Sequence, residues 1–262
     1  MPRRPAKDLA ARPHPASRTP PTRPQQTASA SRFGSSSEPE ASEPTSAQTG
    51  RMRDWVAWHA GYDDPSSALA ARLERVRAHL WQAIEEAPPG PVRLVSLCAG
   101  QGPDVIGVLP GHPRGADVTA VLVESDARNA GLASRGAAAA GLPQLEVRQA
   151  DASRPGCFAD ALPADVLLLC GIFGNVSDDD IRRTVAAAPA LCAASGTVIW
   201  TRHRRAPDLT PDIRAWFGAS GFDEVAFDAL ETPTLASVGV NRLRRAPGAE
   251  LPAGPLFTFG EA

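Results

Sequence analysis

Three short stretches of the sequence carry residue types suited to holding a nucleoside. The first is Leu94-Val95-Ser96-Leu97-Cys98-Ala99-Gly100-Gln101-Gly102-Pro103-Asp104, an apolar run that gives way to two glycines and a proline. Glycines at a strand-to-helix turn let the backbone approach a ligand closely, and the start of a helix favours a negative group there. A tight turn with no ligand would use the same residues. The second is Glu124, 24 residues after Gly100 and followed by Ser125, at the end of the next apolar run. In doubly wound folds an acid at that place accepts hydrogen bonds from a ribose diol. An exposed carboxylate at a strand end is the plainer alternative. The third is Asp151-Ala152, just after the apolar run at 145–148. Asp151 could accept from an adenine amino group, and alone it says little.

Proton transfer needs a group that titrates near neutral pH, and two histidines are placed for it. His203 follows the apolar run at 197–201 among Arg202, Arg204 and Arg205, which would depress its pKa. His59 lies in Arg53-Asp54-Trp55-Val56-Ala57-Trp58-His59-Ala60-Gly61-Tyr62. The alternatives are a solvated loop residue for His203 and a half-buried helix residue for His59. His79 reads as exposed, His112 as part of a Pro/Gly turn, and His14 as part of the N-terminal segment. Tyr62, the only tyrosine, could hold a ligand carboxylate, position a substrate, or serve as an interface aromatic. Arg72 could pair with the same carboxylate or lie on a helix surface. Trp55 and Trp58 could wall an acceptor pocket, or staple the helix to its neighbour. Asn175 could orient an acceptor or cap the helix predicted from 178, and the cap is the preferred reading.

These residues need elements to position them. Trp55 and Trp58 are one helical turn apart, as are His59 and Tyr62, so 53–62 is predicted as a short helix. Asp64 before Pro65 suits an N-cap and a first helical position. Leu69, Leu73, Val76, Leu80 and Ile84 then recur at helical spacing until Pro88-Pro89-Gly90. From residue 92 strands and helices alternate. Strands are predicted at 92–98, 118–123, 145–148, 165–170 and 197–201, with a closing pair near 222–228 and 234–243. Helices are predicted at 103–109, 126–140, 178–193 and 210–219. Such alternation implies a mostly parallel sheet covered on both faces, with the closing pair antiparallel. Cys98 and Cys170 are predicted to end neighbouring central strands.

Composition narrows the rest. Of 262 residues, 43% are hydrophobic and 21% charged, as in a typical globular protein. Residues 1–50 hold nine prolines and almost no large apolar side chains, so they are expected to form a disordered leader. Met52 is placed to be an alternative start. The domains are read as a leader at 1–50, a helical cap at 52–90 and an α/β domain at 91–262. Residues 1–50 carry seven Lys/Arg against four Asp/Glu, and the remainder 20 against 25. A mildly acidic folded part argues against nucleic acid as a partner. No apolar run reaches the length of a membrane span, and no apolar stretch follows Arg3 and Arg4 as a secretory signal would need. The spacing of Cys98, Cys157, Cys170 and Cys192 fits no zinc pattern, and buried reduced thiols in a cytoplasmic protein are the simplest reading.

The progression of strand, glycine turn and helix, then strand and acid, then strand and Asp resembles the class I S-adenosyl-L-methionine-dependent methyltransferases. The resemblance covers about residues 92–245. The family's first motif reads acid-x-Gly-x-Gly-x-Gly. Here Ser96 stands for the acid and Cys98 for the first glycine, while Gly100 and Gly102 match. Glu124 with Ser125 matches the ribose position, and Asp151 with Ala152 the adenine position. Asp165 through Gly171 matches the fourth motif, with Cys170 and Gly171 facing the cofactor. Residues 53–80 resemble the N-terminal helices that close such sites in actinobacterial-type members. The resemblance implies a Rossmann-like, doubly wound seven-stranded sheet with an antiparallel last strand and a helical cap. It implies methyl transfer from S-adenosyl-L-methionine to an O or N of a small molecule, and no metal. Cofactor contacts would fall to Cys98, Ala99, Gly100, Gln101, Gly102, Glu124, Ser125, Asp151, Ala152, Cys170, Gly171 and Tyr62, and catalysis to His59 or His203. Residues 170–175 lack the Asn/Asp-Pro-Pro-aromatic signature of many nucleic-acid amino-methyltransferases. An NAD-dependent oxidoreductase is the rival enzyme, but its third glycine position is Val105, and Pro103 removes an N–H that a pyrophosphate would use. A binding domain without catalysis is the second rival.

Overall fold

The computed structural model describes residues 54, 59–231, 235–244 and 250–259. The readings of 1–50, Met52, His14, Trp55, Trp58 and most of the helix expected at 53–62 lie outside the described residues. A short 3-10 turn spans Ala60–Tyr62. Helix α1 follows at Ala68–Glu86, and its N-cap is Ser67 rather than Asp64. The Ser67 hydroxyl accepts from the Ala70 N–H at 3.0 Å. Asp64 instead closes a turn, its carboxylate accepting from the Ser66 N–H at 2.9 Å and its carbonyl from the Ser67 N–H at 2.9 Å. Pro65 lies within that turn, so the helix starts later than the Asp-Pro pair suggests.

Strand–helix alternation then runs as β1 (Val92–Leu97), α2 (Pro103–Val108), β2 (Val118–Glu124), α3 (Ala127–Ala139), β3 (Leu145–Gln149), β4 (Ala164–Leu169) and α4 (Asp178–Leu191). It continues as β5 (Cys192–His203), α5 (Thr210–Ala219), β6 (Phe222–Ala229) and β7 (Ala236–Leu243). The seven strands form one sheet in the order β3-β2-β1-β4-β5-β7-β6. The first five in that order are parallel, and β7 is antiparallel to both β5 and β6. Strand β5 begins at Cys192, five residues earlier than expected, and α4 stops at Leu191. Ser195, with φ 62°, lies in the irregular stretch between Cys192 and Thr197.

Two buried clusters sandwich the sheet. One holds Val95, Leu97, Leu167 and Leu169 against Ile181 and Val185 of α4 and Ile213 and Phe217 of α5. The other holds Leu94, Leu122, Val166 and Leu168 against Val76, Leu80 and Ile84 of α1 and Val105 and Val108 of α2. Strand alternation assigns successive residues to opposite faces, which is why β1 and β4 feed both clusters. His79 of α1 is not exposed as expected. Its side chain is 15% exposed and stands 2.8 Å from Asp228 of β6, joining helix to sheet edge.

Cys98 and Cys170 do end neighbouring strands, with Leu94 beside Val166 in the register of β1 and β4. They pack into opposite clusters, however. Cys98 has φ 54°, and this left-handed residue breaks the alternation that would have kept both on one face. The strand order reverses at β1 and β4: β2 and β3 lie to one side, β5 to the other. The carboxyl ends of two such strands form the crevice in which doubly wound folds bind ligands.

Trp200 anchors the β5 side. It is fully buried, stacks on Phe217 at 5.9 Å between centroids, and donates its indole N–H to Asn241 Oδ1 at 2.8 Å. A Cβ on its cross-strand partner Gly239 would fall 2.2 Å from the indole, so the ring needs glycine beneath it. Asn241→Leu should leave that buried N–H without an acceptor and cost ~1–3 kcal/mol. The expected result is a lower urea midpoint; an unchanged midpoint would show that the indole finds another partner.

Candidate functional site

The site grows from the turn after β1. Cys98, Gly100 and Gly102 all lie in left-handed conformation, with φ 54°, 59° and 67°. Glycine tolerates this, whereas Cys98 pays the Cβ penalty of a left-handed residue. Gly102 is doubly constrained, since a Cβ there would also lie 2.6 Å from Leu122 Cδ2 on β2. The turn holds itself with Gly102 N–H donating to the Ala99 carbonyl at 2.9 Å, and Ala99 N–H to the Val123 carbonyl at 3.0 Å. Gln101 donates through Nε2 to Asn129 Oδ1 of α3 at 3.2 Å.

Glu124 closes this turn from the end of β2. One carboxylate oxygen accepts from Gly100 N–H at 2.8 Å, and the other from Asp126 N–H at 2.8 Å. The residue is 8% exposed. Each oxygen has a second lone pair, so the carboxylate can serve the turn and still accept from a ligand. Burial pushes the Cys98 thiol far up, and nearby Glu124 and Asp151 push the same way. Burial likewise raises the Cys170 thiol, with Asp104 adding to the effect. Both sulfurs therefore stay protonated and are poor nucleophiles.

A polar group from the N-terminal side covers the turn. His59 packs directly over Gly100, where a Cβ would fall 2.3 Å from its Nε2. Its ring lies 5.3 Å from that of Tyr62. The Tyr62 hydroxyl accepts from Arg72 Nη2 of α1 at 2.9 Å. Burial holds the tyrosine above its usual pKa, while Arg72 opposes this and the adjacent Asp104 and Cys170 add to it. Burial, then Arg72, lowers the pKa of His59. Asp104, in the first turn of α2, is 7% exposed. One of its oxygens accepts from Val105 N–H at 2.8 Å. Burial raises its pKa, opposed by its backbone hydrogen bonds and by the charges of Arg77 and Arg72.

The far wall is the end of β4 and β5. Gly171, with φ 80°, donates its N–H to Thr201 Oγ1 at 2.9 Å. Asn175 donates through Nδ2 to the Gly171 carbonyl at 2.7 Å, which closes the loop after β4. It is therefore not the cap of α4; that cap is Ser177, whose side chain accepts from Asp180 N–H. The reason is positional, since Ser177 directly precedes Asp178 and Asn175 lies two residues further back. Arg202 donates to the Phe173 carbonyl in the same loop. His203 faces Gly174, and its Nδ1 is buried with no partner among the described residues. Burial lowers its pKa, with Arg202 and Arg205 adding to the shift.

Gly100, Gly102, Cys98, Glu124, His59 and Tyr62 thus converge, with Cys170 close to Tyr62. Ala99 is buried in the turn, and Ala152 belongs to the core. Ser125 and Asp151 are exposed at the ends of β2 and β3. Asp151 accepts from Ser153 N–H at 3.0 Å and pairs with Arg154 at 3.3 Å. His203 stands apart from the turn, against the loop after β4. Sequence reasoning missed Asp104 and Thr201. The first had a signal, an acid in a short helix that is otherwise apolar; Thr201 had none, because its role depends on register.

No protein-family model matches the sequence, and no curated protein matches it. Solved structures do. Magnesium protoporphyrin IX methyltransferase from Synechocystis PCC 6803, with bound SAH, aligns at a TM-score of 0.59 and 11% identity, over 72% of this chain and 93% of that one. The CurJ carbon methyltransferase aligns at 0.57 and 14% identity, over 71% of this chain and 58% of that one. An O-methyltransferase family protein from Burkholderia thailandensis aligns at 0.56 and 15% identity, over 74% and 61%. At such identities the likeness is one of architecture: this chain has the Rossmann-like fold of the class I methyltransferases.

Proposed function

We propose that this chain is an S-adenosyl-L-methionine-dependent methyltransferase acting on an O or N of a small molecule. The observation that carries the reading is Glu124, a buried carboxylate fixed by the N–H groups of Gly100 and Asp126 beside the β1–β4 crevice. A ribose diol offers two donors to such a carboxylate. Asp151, at the end of the adjacent edge strand, is offered as the partner of the adenine. The methyltransferase neighbours, which include complexes with SAH and SAM, support the cofactor and the reaction class. These neighbours are named for methylation of magnesium protoporphyrin IX, of carbon and of oxygen, so the O or N acceptor is our narrower proposal.

The rival nicotinamide cofactor fits less well. Its diphosphate would meet the start of α2, where Pro103 lacks an N–H and the buried Asp104 side chain already takes the Val105 N–H. Val105 is fully buried where the dinucleotide fingerprint wants a third small residue. A small acceptor, rather than nucleic acid, suits the acidic balance of residues 51–262. Among the described residues no helix is long and apolar enough to cross a membrane. The four free cysteines suit a reducing, cytoplasmic setting, which we also propose.

S-adenosyl-L-methionine, when bound, supplies a methyl group already made electrophilic by its sulfonium. The chain must orient an acceptor, exclude water and take up a proton. His59 covers the glycine turn at Gly100, with Tyr62 beside it. His59 and His203 are the proton acceptors on offer. Burial keeps both imidazoles neutral at pH 7, the state a general base requires.

Calorimetry on the full chain should show binding of S-adenosylhomocysteine and none of NAD⁺; the reverse would overturn the reaction class. Glu124→Ala should weaken that binding by ~1–3 kcal/mol, and unchanged affinity would remove the ribose role. Depressed histidine pKa values place the acid limb of kcat/KM below about pH 6.5, with activity lost as pH falls and the base protonates. Replacing the serving histidine by Gln should abolish that limb and lower kcat by roughly 10²–10⁴. A limb that survives both single replacements would show that neither histidine is the base. Binding of S-adenosylhomocysteine with no methyl transfer to any acceptor in a broad extract would favour a non-catalytic binding domain.

A further inference from the structure

Three arginines fall within four residues where β5 ends: Arg202, Arg204 and Arg205, with His203 among them. Arg202 and Arg204 are half-buried, yet neither has a carboxylate at ion-pair distance among the described residues. Half-buried arginines elsewhere do, as Arg77 with Glu74 at 3.1 Å and Arg148 with Asp160 at 2.6 Å. The Nε atoms of Arg202 and Arg204 are also buried with no partner among the described residues. Taking a guanidinium partly out of water without a counter-charge is costly.

The two half-buried side chains turn to different loops. Arg204 donates through Nη2 to the Leu230 carbonyl after β6 at 2.6 Å. Arg202 donates through Nη1 to the Phe173 carbonyl after β4, and its Nη2 makes no hydrogen bond among the described residues. His203 packs against the next residue of that loop, its Cδ2 3.8 Å from where a Cβ on Gly174 would fall. Arg202 and the exposed Arg205 both act on His203, and Asp208 opposes them. The Asp208 carboxylate is already engaged, accepting from the N–H and the hydroxyl of Thr210 at 2.9 and 2.8 Å. Asp178, at the start of α4, acts on Arg202 from beyond ion-pair distance. Three arginines thus face two carboxylates, a surplus of one positive charge.

We propose that the methyl acceptor is a carboxylic acid, its carboxylate held by Arg202 and Arg205 so that its O or N nucleophile lies at His203. The proposal rests on the methyltransferase reading above and adds the acceptor's charge and a choice between the two histidines. The strand order is β3-β2-β1-β4-β5. A donor with its base toward β3 and its ribose on Glu124 leaves the β4–β5 side for the incoming nucleophile. The acceptor's lone pair forms the bond to the methyl carbon as the S–CH₃ bond breaks, and that electron pair stays on the sulfur of S-adenosylhomocysteine. The acceptor's proton passes to His203 Nε2, since Nδ1 is buried. One surplus charge suits a monoanion better than a phosphate. A carboxylate there would also restore to His203 the basicity that the arginines remove, because negative charge favours the imidazolium. Arginines with only a structural duty would brace the two loops and treat acids and amides alike.

The test uses the full chain with excess S-adenosylhomocysteine and two probes, benzoate and benzamide, which share a ring and differ in charge. Calorimetry first establishes that S-adenosylhomocysteine binds. Proton NMR then follows the His203 imidazole, assigned by its loss in His203→Gln. Benzoate should shift that signal saturably and move its titration to higher pH, and benzamide should do neither. Arg202→Gln should weaken benzoate about tenfold, the scale of a lost charge-assisted hydrogen bond, and leave S-adenosylhomocysteine within about twofold. Benzoate without effect on His203, equal effects of the two probes, or undiminished binding to Arg202→Gln would overturn the proposal and leave the cofactor reading standing. A chain that binds no S-adenosylhomocysteine would overturn the cofactor reading, and with it any acceptor role for these arginines. Arg205→Glu alters an exposed side chain with no hydrogen bond to lose among the described residues. It decides the matter if Arg202→Gln does not fold: benzoate should weaken several-fold, and unchanged affinity would overturn the proposal.

Discussion

The Glu124 carboxylate joins two turns that would otherwise be independent. Its two oxygens take the N–H of Gly100 after β1 and the N–H of Asp126 before α3. Charge-assisted hydrogen bonds of this kind are among the stronger ones in a protein, and burial strengthens them further. The left-handed run through Cys98, Gly100 and Gly102 depends on that grip, and so does the surface over which His59 packs. The same carboxylate is the group we propose to meet a ribose. Structure and proposed binding therefore draw on one side chain, and a ligand there would use lone pairs that the turn leaves spare.

Around this joint the crevice has an electrical pattern. Glu124 and Asp151 lie at the ends of β2 and β3, and Asp104 lies in the first turn of α2, after β1. Burial suppresses the thiols of Cys98 and Cys170, so neither competes as a nucleophile. It also keeps His59 and His203 neutral. The crevice is thus left without a reactive thiol, and its two imidazoles stay uncharged. That suits a cofactor whose reactivity is its own and whose handling needs placement more than activation.

Much of this was legible in the sequence because it rests on local pattern. The glycine turn, Glu124 one crossover later and the alternation of apolar runs with helical stretches all follow from periodicity and punctuation. The misses have particular causes. Asp64 before Pro65 looks like a cap, but Ser67 wins because its hydroxyl reaches Ala70 N–H. Asn175 lies near a helix start, yet its amide is drawn back to Gly171 by a turn that no pattern reveals. His79 finds Asp228 across 149 residues, a contact visible only once α1 lies on the sheet. Asp104 resembles an ordinary acid in a first helical turn until its burial is known. Cys98 and Cys170 end adjacent strands as expected, but a single left-handed residue sends their side chains to opposite faces.

A crystal structure of the full chain with S-adenosylhomocysteine addresses the shared role of Glu124 most directly. The predicted result has the ribose diol on Glu124 while Gly100 and Asp126 keep their hydrogen bonds to it. A nucleoside bound away from β2, with Glu124 still bonded to those two N–H groups alone, would contradict it.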